Sequence, residues 1–344
     1  MSDKHLSTGV SLFNLQLTGN AKDGIKPGSY AFIVGDSSAG KSFLATTIAA
    51  SAAIDHRFDD YTIYYDDVEN GCAFNVEELF SDTIADRIKQ PPHGTSTFID
   101  DFYRNAKDAV SNGPCVYILD SQDALTTKEE AGKYDEMVKA VAKAGGDTEK
   151  ALRNLSGQMA DGKAKKHSQY LRRLVSMLEE NGSILIILGQ TRDDLTGYAK
   201  DSLVWSGGRA LKFYCHIMLH MQVKSTIKKT VGGTKREIGI ESRVKVVKNR
   251  QTGKRSEAVC PIYYSHGYDD VGAMIDWLVA EGVWSGGTTI NTNGVLDEKP
   301  RMRETLIGLV DQSDDLYTAL VDAVQAHWDD VEGKLKVARK NRWQ

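Results

Sequence analysis

The chain has 344 residues, of which 41% are hydrophobic and 26% charged, with a formal net charge of −4. That length suits a large α/β core with appendages, and the apolar fraction is ordinary for a globular protein. No apolar run approaches the roughly 20 residues of a membrane span. The start, Met1-Ser-Asp-Lys-His-Leu6, lacks the apolar stretch of a signal peptide. The expectation is a cytoplasmic protein with no membrane partner.

Charge is unevenly spread. Residues 222–255 hold eleven Lys or Arg against Glu237 and Glu241, so the remainder carries −13. Between Lys163 and Arg173 lie five more basic residues and no acid. Such asymmetry suits one polyanion-facing surface, and it also suits a solvated hairpin face. Cys72, Cys115, Cys215 and Cys260 are widely spaced, with no CxxC pair, and read as buried free thiols.

In chain order, an entry segment with loops at Thr18-Gly-Asn and Pro27-Gly leads to a strand, Tyr30–Val34. The octapeptide Gly35, Asp36, Ser37, Ser38, Ala39, Gly40, Lys41 and Ser42 follows, and a helix begins at Phe43. A second strand, Tyr61–Tyr65, ends in Asp66-Asp67-Val68-Glu69. Pro91-Pro92 breaks the pattern before a helix over Ile99–Val110, which Gly113-Pro114 stops. A fully apolar strand, Cys115–Leu119, ends in Asp120-Ser121. Residues 126–160 read as charged helices with a joint at Gly145-Gly146, and helix resumes over about 165–180. Asn181-Gly182 caps it, and a strand at Ile184–Leu188 leads to Gln190.

Beyond Gly207-Gly208 the pattern changes to strands at hairpin spacing: Phe213–Gln222, 236–248 and 257–264. In a strand, the neighbours Cys215 and His216 point to opposite faces, so a metal site there with His220 is set aside. A helix over 269–281 follows. Residues 285–297 form a Gly/Thr/Asn linker, and two C-terminal helices close the chain, the second with Leu316, Leu320, Val324 and Trp328 at helical spacing. Continuous apolar strands alternating with helices predict an α/β fold with a central, mostly parallel sheet flanked by helices. An antiparallel hairpin extension and a small helical C-terminal region complete it. The expected domains are a core over 1–284, with a helical insertion at 126–165, a linker at 285–297 and a helical region at 298–344.

The octapeptide fits GxxxxGK[ST] in the required strand–loop–helix context, which is that of a phosphate-cradling loop. The glycines let backbone N–H groups close round a phosphate, and the helix N-terminus adds a positive dipole end. Lys41 is expected to reach the outer phosphates, and Ser42 to hold Mg²⁺. Asp120, after four apolar strand residues, stands where a carboxylate holds Mg²⁺ directly or through water. Glu69 ends another strand and is a candidate to deprotonate the attacking water, with Asp66 and Asp67 competing for that role. Gln190 ends a fourth, placed to sense the γ-phosphate. ATP with Mg²⁺ is the expected ligand.

These motifs resemble the ATPase core of the RecA recombinases, in particular phage-type members. The supporting pieces occur in order over about residues 6–283: Leu6-Ser-Thr-Gly, the phosphate loop, Asp67-Val-Glu69-Asn, Leu119-Asp-Ser121, Leu188-Gly-Gln190, Ser206-Gly-Gly-Arg-Ala-Leu-Lys-Phe-Tyr214 and Arg243-Val-Lys-Val-Val-Lys-Asn-Arg250. The resemblance implies that Glu69 is the catalytic glutamate and that Gln190 couples the γ-phosphate to a DNA-binding loop at Thr191–Gly208. It implies a first DNA loop near Gly157–Ser168, and Lys248 and Arg250 reaching a neighbouring subunit's ATP. It also implies that Tyr264 packs on adenine.

The residues of the second loop agree with it. Arg192, Tyr198, Lys200, Trp205 and Arg209, with Gly207 and Gly208, combine cations, aromatics and flexible backbone, as single-strand binding does. Lys163, Lys165, Lys166 and Arg172 would add phosphate contacts. Four departures stand out. No docking helix and strand precede Leu6, the 126–160 segment is long, the final helices do not resemble the family's C-terminal domain, and Val68 and Gly189 are uncommon choices that read as neutral drift. The expected function is a DNA-dependent ATPase of homologous recombination. It would bind single-stranded DNA and then duplex, as a homo-oligomeric filament or ring, with a mediator or ssDNA-binding protein as a further partner. The alternatives are a RecA-like mediator without strand exchange and a hexameric helicase.

Overall fold

The computed structural model describes residues 4–69, 76–132, 148–192, 204–205 and 209–339. Helix α1 (Ser11–Thr18) precedes the first core strand, β1 (Tyr30–Gly35), and α2 (Lys41–Ile54) follows the phosphate loop. Next come β2 (Thr62–Asp67), the short helices α3 (Val76–Leu79) and α4 (Asp82–Arg87), and a two-residue strand β3 (Ile88–Lys89). Helix α5 (Ile99–Ser111) leads to β4 (Cys115–Asp120). The long helix α6 (Thr148–Asn181) leads to β5 (Ile184–Arg192) and the short β6 (Val204–Trp205). The remainder is α7 (Arg209–Tyr214), β7 (Ile217–Val231), β8 (Thr234–Asn249), β9 (Glu257–Tyr263), β10 (Gly267–Tyr268), α8 (Asp270–Ala280), α9 (Arg303–Val310) and α10 (Asp314–Leu335).

The strands form one sheet in the order β10-β9-β8-β7-β1-β5-β4-β2-β3, with β6 pairing only with β5. From β7 to β3 every pairing is parallel, and from β7 to β10 every pairing is antiparallel. Alternation along the central strands feeds two apolar layers. Ala31, Ile33, Val116 and Ile118 pack under α2, among Leu44, Ala45 and Ile48. Tyr30, Phe32, Tyr117 and Leu119 pack on the other face against α5 and α6, through Phe102, Leu171, Leu174 and Leu178.

The expected α/β architecture with its antiparallel extension is what folds, and the structure refines its detail. The stretch 213–216, read as strand, belongs to the end of α7 and the turn after it. Leu211 and Cys215 are buried one helical turn apart, so helical packing overrides the strand-like composition. His216 then accepts the Tyr30 N–H through Nδ1 at 3.0 Å, and Cys215 donates to the Lys212 carbonyl. Residues 157–168, expected as a loop, lie within α6, a run rich in Ala, Lys, Arg and Leu. The Gly145-Gly146 joint and Cys72 lie outside the described residues. Trp284, Ile290, Leu296, Leu306, Val310, Leu320, Val321 and Val324 all join the apolar layer under α2. No helix among the described residues is long and apolar enough to cross a membrane.

His167 on α6 is buried between helices, with the Tyr103 hydroxyl 2.8 Å from its Nδ1. Burial, aided by the nearby Lys163 charge, pushes its pKa from 6.5 down to about 4. The unfolded chain therefore takes up the proton first, and stability falls as pH drops from 6.5 toward 4. This group is expected to remove about 2 kcal/mol of stability between pH 7 and pH 5. Urea unfolding at both pH values is expected to show a smaller difference for His167→Gln, which keeps an acceptor for Tyr103 and cannot charge.

Candidate nucleotide-binding site

The parallel strands deliver their carboxyl ends to one edge, the edge where α/β sheets bind ligands. The register aligns the relevant positions. Gly35 lies opposite Gln190 on one side and Met221 on the other, and Asp67 lies opposite Asp120.

Two glycines are required here. A Cβ on Gly35 would lie 2.1 Å from the Met221 carbonyl oxygen. Gly40 has φ +92°, and a Cβ there would lie 2.4 Å from Ile262 Cδ1. The antiparallel extension thus forms the back wall of the phosphate loop. It also fastens that loop, because the Ser242 hydroxyl donates to the Ala39 carbonyl at 2.8 Å.

Lys41 opens α2, and its ammonium donates to the carbonyls of Gly35 and Asp36 at 2.9 and 2.7 Å. Burial holds its pKa below the usual lysine value, against the opposing pull of Asp120, Glu69, Asp36 and Asp123. Asp120 is buried, which raises its pKa, while hydrogen bonds from Ser42 and Tyr65 act the other way. The Tyr65 hydroxyl is 2.8 Å from Asp120 Oδ2, a contact that strand alternation alone does not reveal. Ser42 and Asp120 therefore present two hard oxygen donors side by side at the helix N-terminus. That chemistry fits Mg²⁺ beside a phosphate chain.

Of the three acids at the end of β2 and just beyond it, the structure separates Asp66 from Glu69. Asp66 is buried and turned into the core, where it accepts from Ser96 N–H at 2.9 Å, the Ser96 hydroxyl at 2.6 Å and the Tyr117 hydroxyl at 2.7 Å. Glu69 is exposed at the same edge as Lys41, and its carboxylate accepts from the Ser121 hydroxyl. Its turn is pinned to β4, since Val68 N–H donates to the Asp120 carbonyl at 2.8 Å. At the end of β5 the Gln190 N–H donates to Asp123 Oδ2 at 2.7 Å, and the Thr191 hydroxyl donates to Asp36 Oδ1 at 2.5 Å. Asp36, Asp123 and Thr191 were not singled out by motif for these contacts. Only the fold brings 36 and 191 together.

Phe43 and Tyr268 border the loop: the Phe43 ring approaches Gly267, and the Tyr268 hydroxyl lies 3.4 Å from a Cβ on Gly40. Tyr264 is 49% exposed, and its hydroxyl donates to Glu237. Lys248 donates to the carbonyls of Lys212 and Phe213 at 2.8 and 2.9 Å, and Arg250 to that of Phe213 at 3.0 Å. Both cations thus cap the carboxyl end of α7.

Among the basic residues of α6, Lys163 donates to the Leu125 carbonyl, and Lys166 pairs with Asp100 at 2.5 Å and Glu129 at 3.1 Å. Lys165 and Arg172 on α6, and Arg209 on α7, are exposed. Tyr198, Lys200, Gly207 and Gly208 lie outside the described residues. Arg192 and Trp205 are placed by backbone only, in β5 and β6, where Thr191 pairs with Trp205.

The RecA N-terminal domain family model matches residues 4–269, a span that includes every strand carrying the site. The chain is 31% identical over 179 residues to Protein RecA of Thermus aquaticus, covering 48% of this chain and 52% of that one. It is 27% identical over 322 residues to Protein RecA of Crocosphaera subtropica, covering 89% and 82%. It is 28% identical over 266 residues to Protein RecA of Chlamydia trachomatis serovar L2, covering 76% and 65%. The chain spans about half the length of the Thermus relatives it matches. On the match to the N-terminal domain model, this chain belongs to the RecA family.

Proposed function

We propose that this protein is an ATP-dependent recombinase that binds single-stranded DNA and hydrolyses ATP to release it, in the cytosol. The observation that carries the reading is the register of β1 and β5. It sets the phosphate loop beside Gln190 and the root of the 191–208 segment. A γ-phosphate sensor and a nucleic-acid segment thereby share one strand end. In this reading the loop N–H groups, Lys41 and the α2 N-terminus bind the triphosphate. Mg²⁺ held by Ser42 and Asp120 would neutralise charge on the phosphate oxygens. Glu69 orients and deprotonates the attacking water, because Asp66 is committed to Ser96 and Tyr117. Arg192, Tyr198, Lys200, Trp205 and Arg209 contact DNA with Gly207 and Gly208, and Lys165 and Arg172 add phosphate contacts. Residues 1–284 are the ATPase core, and 298–344 an appended helical region.

A second reading, a RecA-like mediator ATPase without strand exchange, is favoured by one observation. Lys248 and Arg250 are engaged within their own chain, at α7. In the first reading they leave α7 for a neighbour's ATP when a filament or ring forms.

ATPase rate measured with and without single-stranded DNA, over a range of protein concentrations, separates the two. A recombinase is expected to show strong DNA stimulation with steep concentration dependence. A rate indifferent to both would establish the mediator reading instead.

Lys41→Ala is expected to abolish binding of a fluorescent ATP analogue. Glu69→Gln is expected to keep that binding and to lower turnover about a hundredfold or more. Turnover at the parent rate would remove Glu69 as the base.

A further inference from the structure

We infer that Tyr65 is a positioning residue for Asp120, its phenol fixing the carboxylate in a presentation that favours Mg²⁺ over Ca²⁺; this rests on the reading above, in which Ser42 and Asp120 hold the divalent ion. On the parallel strands β2 and β4, Tyr65 lies opposite Ile118. Its Cα is therefore one same-face step, roughly 6.6 Å, short of Asp120. A phenol spans that step. The Tyr65 ring packs on the apolar layer under α2, and its hydroxyl is 2.8 Å from Asp120 Oδ2. Tyr64, the neighbour in sequence, lies on the other face of the sheet against Tyr117 and cannot take over the contact.

The kind of partner matters. Asp120 is 6% exposed, and its carboxylate accepts from two hydroxyls, those of Ser42 and Tyr65. The Lys41 ammonium is directed instead to the carbonyls of Gly35 and Asp36. A hydroxyl orients a carboxylate without cancelling its charge, whereas a lysine or arginine in the same place would neutralise it. The charge of Asp120 thus stays available to a cation, and Glu69 and Asp67 add to the negative field around it.

Metal preference follows from which oxygen is engaged. With Oδ2 held by the phenol, the carboxylate offers a cation its other oxygen. Mg²⁺ demands near-octahedral single-oxygen ligation and keeps several waters, while Ca²⁺ takes six to eight oxygens and accepts both oxygens of one carboxylate. A carboxylate anchored through Oδ2 suits the first ion and handicaps the second. Without the phenol, Asp120 loses the orientation that serves Mg²⁺ and gains the two-oxygen presentation that serves Ca²⁺.

The test uses Tyr65→Phe, which keeps the ring and removes the hydroxyl. Affinity for a slowly hydrolysed fluorescent ATP analogue is titrated with Mg²⁺ and, separately, with Ca²⁺, and the midpoint of each metal dependence is read. The parent is expected to have the lower midpoint with Mg²⁺. In Tyr65→Phe the Mg²⁺ midpoint is expected to rise about three- to tenfold, the range of one hydrogen bond to a charged group, while the Ca²⁺ midpoint stays within about twofold. Damage to the fold or to the phosphate loop would raise both midpoints together, so the split between the metals is the signature of positioning. An unchanged Mg²⁺ midpoint, or a rise shared equally by the two metals, overturns the role of Tyr65. Asp120→Asn separates the two levels of the argument. If it keeps the parent's metal dependence, Asp120 does not hold the ion, and the site reading falls with this one. If Asp120→Asn loses that dependence and Tyr65→Phe matches the parent, the site reading stands and Tyr65 alone is excluded.

Discussion

One electrostatic imbalance governs the catalytic edge. Four carboxylates, from Asp120, Glu69, Asp36 and Asp123, lie within electrostatic reach of the Lys41 ammonium. A triphosphate entering this edge adds negative charge to a surface that already has too much. The loop N–H groups and the α2 dipole offset part of it. The remainder calls for cations that the strand ends do not supply. A divalent ion, which Ser42 and Asp120 would hold, would be one source. A neighbouring subunit of the proposed assembly would be another. The proposed dependence of hydrolysis on assembly is therefore a charge requirement as much as a geometric one.

The sheet was legible because its strands are buried on both faces. Runs such as Cys115–Leu119 admit no other reading when Gly113-Pro114 precedes them and an acid follows. The phosphate loop was legible because its glycines, lysine and serine are spaced by the chemistry itself. What stayed hidden depends on contacts far apart in sequence. Asp66, Asp67 and Glu69 look alike until Ser96 and Tyr117 take the first of them into the core. Lys166 reads as a free cation until α5 places Asp100 against it. The strand reading of 213–216 failed because Phe, Tyr and Cys favour strands, while burial of Leu211 and Cys215 favours a helix. Tertiary packing decided that case.

The parallel and antiparallel halves of the sheet meet at β7, which pairs with β1 on one side and β8 on the other. This junction makes the extension part of the nucleotide site. Met221 and Ile262 set the space beside Gly35 and Gly40, and Ser242 holds the Ala39 carbonyl. The strand that holds the loop, β8, carries Lys248 and ends just before Arg250. These two cations fasten α7 through the carbonyls of Lys212 and Phe213.

The 193–208 segment is thereby bounded by two anchors. At its start Thr191 is tied to Asp36 in the phosphate loop, and at its end α7 is tied to β8, the strand that supports that same loop. In the proposed reading, a neighbour's γ-phosphate would compete with the α7 carbonyls for Lys248 and Arg250. Each anchor is made of charge-assisted hydrogen bonds at a partly exposed site.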